Sequence, residues 1–335
     1  MRLIRAAGVA AMVLVLAATG CGSGGGKSKA AAVDKLNYLT SFGTFGREAY
    51  VWVGVEKGYF KDAGIELAIK PGTGTGDNLK LIASGQADFS PCDFTGTLIQ
   101  IGKDKLPVTA IAAIHQRSLA GIMTLESTGI ATPKDLEGKS IGDPAGSTNG
   151  LMFPAYAKLA GIDAGKVKWV NIPPPQLPTV LAAGSVDAIG QFVVGRPTIE
   201  KAANGRKAVV LPYSDYLTDL YGNAVVTSTK IAKDKPDLVK RFRDALLKAL
   251  EYSVDHPDEA AAILVKNQPT QDAKVASAEL QLMAAFVRSA GSGAAVGALD
   301  SQRVARSIAI LQGANAIPPG MTPEQVVSFD LTPKG

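Results

Sequence analysis

Cysteine and histidine are scarce: the 335 residues hold only Cys21 and Cys92, and only His115 and His256. Two cysteines cannot build a disulfide scaffold. The histidines lie far apart, with no cysteine or carboxylate cluster beside either, so no metal site is expected. Basic residues are scattered and never form a run. The net charge of +5 and pI of 9.0 therefore mark no nucleic-acid stripe. The apolar run over residues 6–16 falls short of the roughly 20 residues that cross a bilayer. No Gly-x-Ser-x-Gly elbow precedes a helix, which argues against Ser/His/Asp hydrolysis. What remains, 46% hydrophobic and 19% charged, is the composition of a globular chain long enough for two domains.

Arg2 and Arg5 followed by that short apolar run and the small residues Ala18-Thr19-Gly20 form an export signal over residues 1–20. Its loss would lower the charge to about +3. The Gly/Ser/Lys/Ala stretch over residues 21–32 reads as a flexible tether. Ala18-Thr19-Gly20-Cys21 resembles the bacterial lipobox, although that motif usually has Leu where Ala18 stands. The resemblance implies cleavage before Cys21, lipid on its sulfur, and an extracytoplasmic protein anchored to the cell membrane. Cys92 would then have no disulfide partner.

Beyond residue 32, strand-like and helix-like runs alternate. Strands are expected at 36–39, 65–69, 87–90 and 108–114, with helices at 47–60, 77–84 and 95–101. A second set begins near Ile122. It has strands at 140–142, 167–171 and 187–190, and helices entering after Gly146, at 177–183 and at 197–204. Pro173-Pro174-Pro175 predicts a rigid extended turn. A strand at 224–227 precedes amphipathic helices at 236–255, 257–266, 272–289 and 301–311. These helices carry Leu246, Leu250, Leu280 and Met283 at core spacing. The tail from Pro318 is expected to wrap the surface. The alternation predicts an α/β chain with mostly parallel sheets flanked by helices.

Several segments, in order, resemble the type II substrate-binding proteins of ABC importers, in the NMT1/THI5-like and sulfonate/nitrate-binding (SsuA-like) branch. They include Glu56-Lys57-Gly58-Tyr59-Phe60, Ser84-Gly85-Gln86-Ala87-Asp88-Phe89, Lys134-Asp135-Leu136-Glu137-Gly138-Lys139, Ala183-Gly184-Ser185-Val186-Asp187-Ala188, Lys235-Pro236-Asp237-Leu238 and His256-Pro257-Asp258-Glu259-Ala260. The resemblance covers roughly residues 33–290. It implies two lobes joined by two crossing strands, lobe 1 from residues 33–119 and 221–335 and lobe 2 from 120–220. A small-molecule ligand would close the lobes, and the closed monomer would dock on an ABC permease served by its ATPase, with no nucleic acid involved. No cofactor is expected. Pyrimidine synthases of the same superfamily use pyridoxal phosphate and a Cys-rich iron motif. Only Cys92 stands here, in Ser90-Pro91-Cys92-Asp93-Phe94, so an enzyme is not expected.

Loops after the strands of such sheets, and helix N-termini there, are where a solute is met. After strand one, Phe42, Thr44, Phe45, Arg47 and Glu48 could stack and orient a flat ring, or Phe42 and Phe45 could simply cap the core. Pyrimidine-precursor binders commonly have Trp and His where Phe42 and Glu48 stand. Thr73, Gly74 and Thr75 offer backbone donors in a Gly/Thr loop that matches neither nucleotide fingerprint. Asp93 and Phe94, with His115 and Gln116, follow two further strands; Asp93 also fits a helix cap. Asn223 opens the returning strand. On lobe 2, Ser147, Thr148 and Asn149 stand at a helix start, with Gln176, Gln191, Phe192 and Arg196 beyond. Arg196 replaces the acid the family often places before the proline matching Pro197; it suits an anion or pairs with Glu200. The aromatics favour a heteroaromatic such as a thiamine pyrimidine precursor. Arg47, Arg117 and Arg196 favour a sulfonate or nitrate. A solute-sensing lobe with a separate signalling partner is the alternative of another class.

Overall fold

The computed structural model describes residues 33–288 and 295–334. The expected signal, Cys21 and tether lie outside these residues. The described strands are β1 (Asp34–Leu39), β2 (Ile65–Lys70), β3 (Phe89–Asp93), β4 (Val108–Ala113), β5 (Ala120–Leu125), β6 (Ser140–Asp143), β7 (Lys168–Asn171), β8 (Ala188–Phe192), β9 (Ala208–Pro212) and β10 (Asn223–Ser228).

They form two sheets of identical plan. The first runs β2-β1-β3-β10-β4 and the second β7-β6-β8-β5-β9. In each, four strands point one way and the fourth in line runs against its neighbours. That reversed strand is the one the chain enters on arriving from the other sheet. The alternation of strand and helix forces parallel strands through helical crossovers. A chain arriving from the neighbouring lobe is free to run the other way.

The two crossing segments, after β4 and after β9, lie side by side. Ile114 N–H donates to Asn223 O at 2.7 Å, Gly222 N–H to His115 O at 3.0 Å and Ser118 N–H to Leu220 O at 3.0 Å. One face of the first sheet is covered by the helices Ala49–Glu56, Pro236–Asp255 and Pro257–Asn267. Leu238, Phe242, Leu246 and Leu250 recur at helical spacing, and Phe242 stacks on Phe89 at 3.9 Å. Pro236 and Pro257 start their helices at the first position, where the missing N–H costs nothing.

Several expectations needed correction. The strand expected at 87–90 runs Phe89–Asp93, which puts Asp93 at its carboxyl end. The helix expected from Asp77 already begins at Thr75, because Gly74, at φ 127°, makes the turn one residue earlier. The prolines coil into a 3₁₀ turn at Pro174–Gln176 instead of staying extended. Strand β9 was not anticipated. The tail does more than wrap the surface: Val326 and Val327 are buried, Val327 bridges Ala110, and Ala110 N–H donates to Val326 O at 2.8 Å. The tail thereby satisfies the open edge of β4.

Candidate functional site

The carboxyl ends of β1, β3 and β4 in the first sheet meet those of β6 and β8 in the second. Each end contributes a side chain because the next residue starts a loop or helix. Ser41 and Phe42 follow β1. Asp93 ends β3 and caps the helix Phe94–Asp104 by accepting from Gly96 N–H at 2.8 Å. His115 lies just past β4. Asp143 ends β6, and Ser147 caps the helix Thr148–Ala160 through Gly150 N–H at 3.0 Å. Gln191 and Phe192 end β8.

Between the sheets lies a void of about 10 Å³, lined by Ser41, Phe42, Thr75, Thr148, Asn149 and Phe192. That is room for one water molecule. Phe42 and Phe192 face each other from opposite sheets with centroids 6.5 Å apart and planes 28° from parallel. Phe42 also stacks on Phe45, and both sit in an apolar cluster otherwise built from the second sheet and its helices. Phe45 and Phe192 sandwich the guanidinium of Arg47, at 4.4 and 5.2 Å from its carbon.

The lobes touch through specific polar bonds. Thr75 and Thr148 share a hydroxyl hydrogen bond at 2.7 Å, and Gly76 N–H donates to Gly146 O at 2.9 Å. Glu279 accepts from the Thr198 hydroxyl, and Lys201 pairs with Asp272. Any side chain at Gly76 would press on the Gly146 carbonyl at 2.8 Å.

The buried charges are unusual. Arg47 is buried with Glu279, whose Oε2 accepts Arg47 N–H at 3.1 Å and lies 3.7 Å from Nη1. Glu48 accepts from the Ser41 hydroxyl, and from the Tyr50 hydroxyl at 3.4 Å; burial pushes its pKa up. Burial likewise raises Asp93 to about 7, against its backbone hydrogen bonds, and Asp143 to about 7, against hydrogen bonds from Ser147 and Asn149. His115 is lowered to about 3 by burial and by the Arg47 charge.

The expected site residues divide into two groups. Phe42, Phe45, Arg47, Glu48, Gly74, Thr75, Asp93, His115, Ser147, Thr148, Asn149, Gln191, Phe192 and Asn223 are buried where the two sheets meet. The rest point elsewhere. Thr73 is exposed and its hydroxyl meets Asp77. Gln176 is exposed. Thr44 lines a separate outer groove with Lys201 and Asp272. Phe94 packs edge-on against Tyr221. Gln116 donates to Ala298 O at 3.1 Å. Arg196 is exposed and pairs with Glu200 at 3.9 Å, and Arg117 lies over Phe286 at the surface. Ser41, Asp143, Thr198 and Glu279 were missed. Glu279 had a signal, a lone acid among the apolar residues of the helix Ala273–Val287. Asp143 had one too, as a carboxylate ending a short strand.

The model of the family described as NMT1/THI5 like matches residues 48–260, well over half of the chain. The chain belongs to the NMT1/THI5-like family. Among its relatives is the formylaminopyrimidine-binding protein of Halalkalibacterium halodurans, 26% identical over 65% of this chain. The match spans 66% of that relative's length, just under two thirds. Another is the 4-amino-5-hydroxymethyl-2-methylpyrimidine phosphate synthase of Candida albicans, 26% identical over 76% of this chain and 78% of its own. The relatives of this chain therefore include both a binder and a synthase by name. The alkanesulfonate-binding protein SsuA from Xanthomonas axonopodis, solved with MOPS, superposes with a TM-score of 0.68 at 15% identity, covering 90% of this chain and 99% of that one. The NMT1/THI5-like chain thus has the two-lobed periplasmic-binding-protein fold.

Proposed function

We propose that this NMT1/THI5-like protein is the solute-binding component of an ABC importer, exported and held at the membrane by lipid on Cys21. It would capture a small flat heteroaromatic between Phe42 and Phe192 and deliver it to a permease. The facing of those two rings from opposite sheets carries the reading. A ring clamped between two others needs about 7 Å between their planes, and these two tilted rings, with centroids 6.5 Å apart, must spread to take one. The void is too small to admit a ring as it stands, so the sheets must part for entry. The crossing pair is a natural hinge for that motion.

The formylaminopyrimidine-binding relative supports a pyrimidine, although Phe42 and Glu48 replace the Trp and His common in such binders. The buried Arg47 favours a sulfonate instead, but Glu279 already matches its charge. We read the protein as a binder, not a synthase, because the Cys-rich motif is missing around Cys92. A titration calorimetry panel tests this. Formylaminopyrimidine or 4-amino-5-hydroxymethyl-2-methylpyrimidine should bind and, at 100-fold excess over Kd, stabilise the fold by about 2.7 kcal/mol. Binding of alkanesulfonates alone would replace the reading with its alternative. Release of pyrimidine product on incubation with pyridoxal phosphate would replace it with synthesis. Cys21→Ala should move the protein from the membrane fraction to the soluble one.

A further inference from the structure

Four side chains, Arg47, Asp93, His115 and Asn223, each no more than 2% exposed, keep polar atoms with no hydrogen-bond partner in one neighbourhood. Asp93 and Asn223 are register partners across β3 and β10. Asn223 N–H donates to His115 Nδ1 at 3.3 Å. Arg47 bears on His115 through its charge and lies over Phe192, which lines the void. Thr75, which lines the void, accepts Asp93 N–H at 3.0 Å.

The free atoms sort by polarity. Asn223 Oδ1 is an acceptor, and so is Asp93 Oδ2 above about pH 7, where its carboxyl is ionised. Arg47 Nε, Nη1 and Nη2 are donors. His115 Nε2 joins the donors, because Nδ1 accepts and a neutral imidazole then carries its proton on Nε2. Buried polar groups are normally paired, and four side chains left over together mark a place where a polar molecule completes them.

We infer that the crevice reads its solute by two walls of opposite polarity: Asp93 and Asn223 accept from an amino or ring N–H edge, while Arg47 and His115 donate to a carbonyl or acid oxygen of the same molecule. Glu279 cancels the Arg47 charge without occupying its N–H groups, since 3.7 Å is beyond hydrogen-bond length. The ligand class is therefore neutral or zwitterionic with both edges, and a bare anion is discriminated against. This rests on the solute-binding reading above and adds the atoms that set specificity. His115 and Asn223 also lie where the two crossings pair, so a ligand that engages them acts on the hinge.

The test titrates the protein at about pH 8.5, where Asp93 is ionised, with formylaminopyrimidine and with ethanesulfonate. Wild type should bind the pyrimidine at least about 10-fold tighter. Asp93→Asn keeps the helix cap but turns the free acceptor into a donor, and should weaken pyrimidine binding about 10- to 100-fold, the scale of a lost charged hydrogen bond. Asn223→Ala should do the same from the facing strand, and His115→Phe should weaken binding from the donor wall. Thermal midpoints separate loss of binding from loss of fold, and exposed Arg196→Ala is the unchanged control. Equal affinity for ethanesulfonate, or binding within 2-fold of wild type in both Asp93→Asn and Asn223→Ala, overturns the inference while leaving the crevice a solute site. No binding of either probe overturns the solute reading as well.

Discussion

At the residue scale, burial decides protonation. Asp93 and Asp143, raised to about 7, keep protons in the fold that the unfolded chain has already lost. The stability tied to those protons is complete below about pH 4 and disappears as pH climbs through 7. His115, lowered to about 3, works in the opposite sense: stability falls as pH drops below about 6.5, because the unfolded chain takes up a proton the fold refuses. Asp93→Asn has no charge to bury, so its urea midpoint should exceed wild type above pH 7 and converge with it near pH 4. A constant difference across that range would contradict the burial of this carboxyl. Asp93 was readable from sequence as either cap or contact, and the structure shows the cap: Oδ1 accepts from Gly96 N–H while Oδ2 has no partner. Arg47 was readable, but Glu279 was not tied to it, because 232 residues separate a contact that only tertiary packing creates.

At the element scale, the loop after β1 delivers Phe42 and Phe45 into a cluster belonging to the other sheet. Phe42→Ala and Phe192→Ala should each weaken binding of a flat ring by about 1–3 kcal/mol, the usual worth of one aromatic–base stack. Calorimetry checks this; an effect below twofold in both would remove the stacking role. The tail is a second element with a consequence. Val326, Val327 and Leu331 are buried, and burying such side chains contributes about 1.5–3 kcal/mol each. Truncation after residue 317 should therefore lower the urea midpoint by several kcal/mol of stability. Helices opened by Pro236 and Pro257 were legible to within a residue, because proline marks a first turn locally. Strand β9 was not, since its half-buried residues show no clean alternation. Nor was the pairing of the tail with β4, which depends on an edge left open by distant residues.

At the scale of the whole molecule, two sheets of the same order are joined by two segments that bond to each other. The α/β alternation made the class of fold legible, and the ordered family segments made the two lobes so. How closely the lobes meet was not legible. Thr75 with Thr148, and Gly76 with Gly146, are contacts between segments that each read locally as a helix start. Gly76→Ala should leave each lobe folded but obstruct closure, weakening ligand binding with little change in thermal midpoint. The most direct measurement is small-angle X-ray scattering of the protein with and without saturating formylaminopyrimidine. The account predicts a smaller radius of gyration with ligand and no such change in Gly76→Ala. Identical scattering curves, with binding verified in the same samples, would contradict a clamp of two moving lobes.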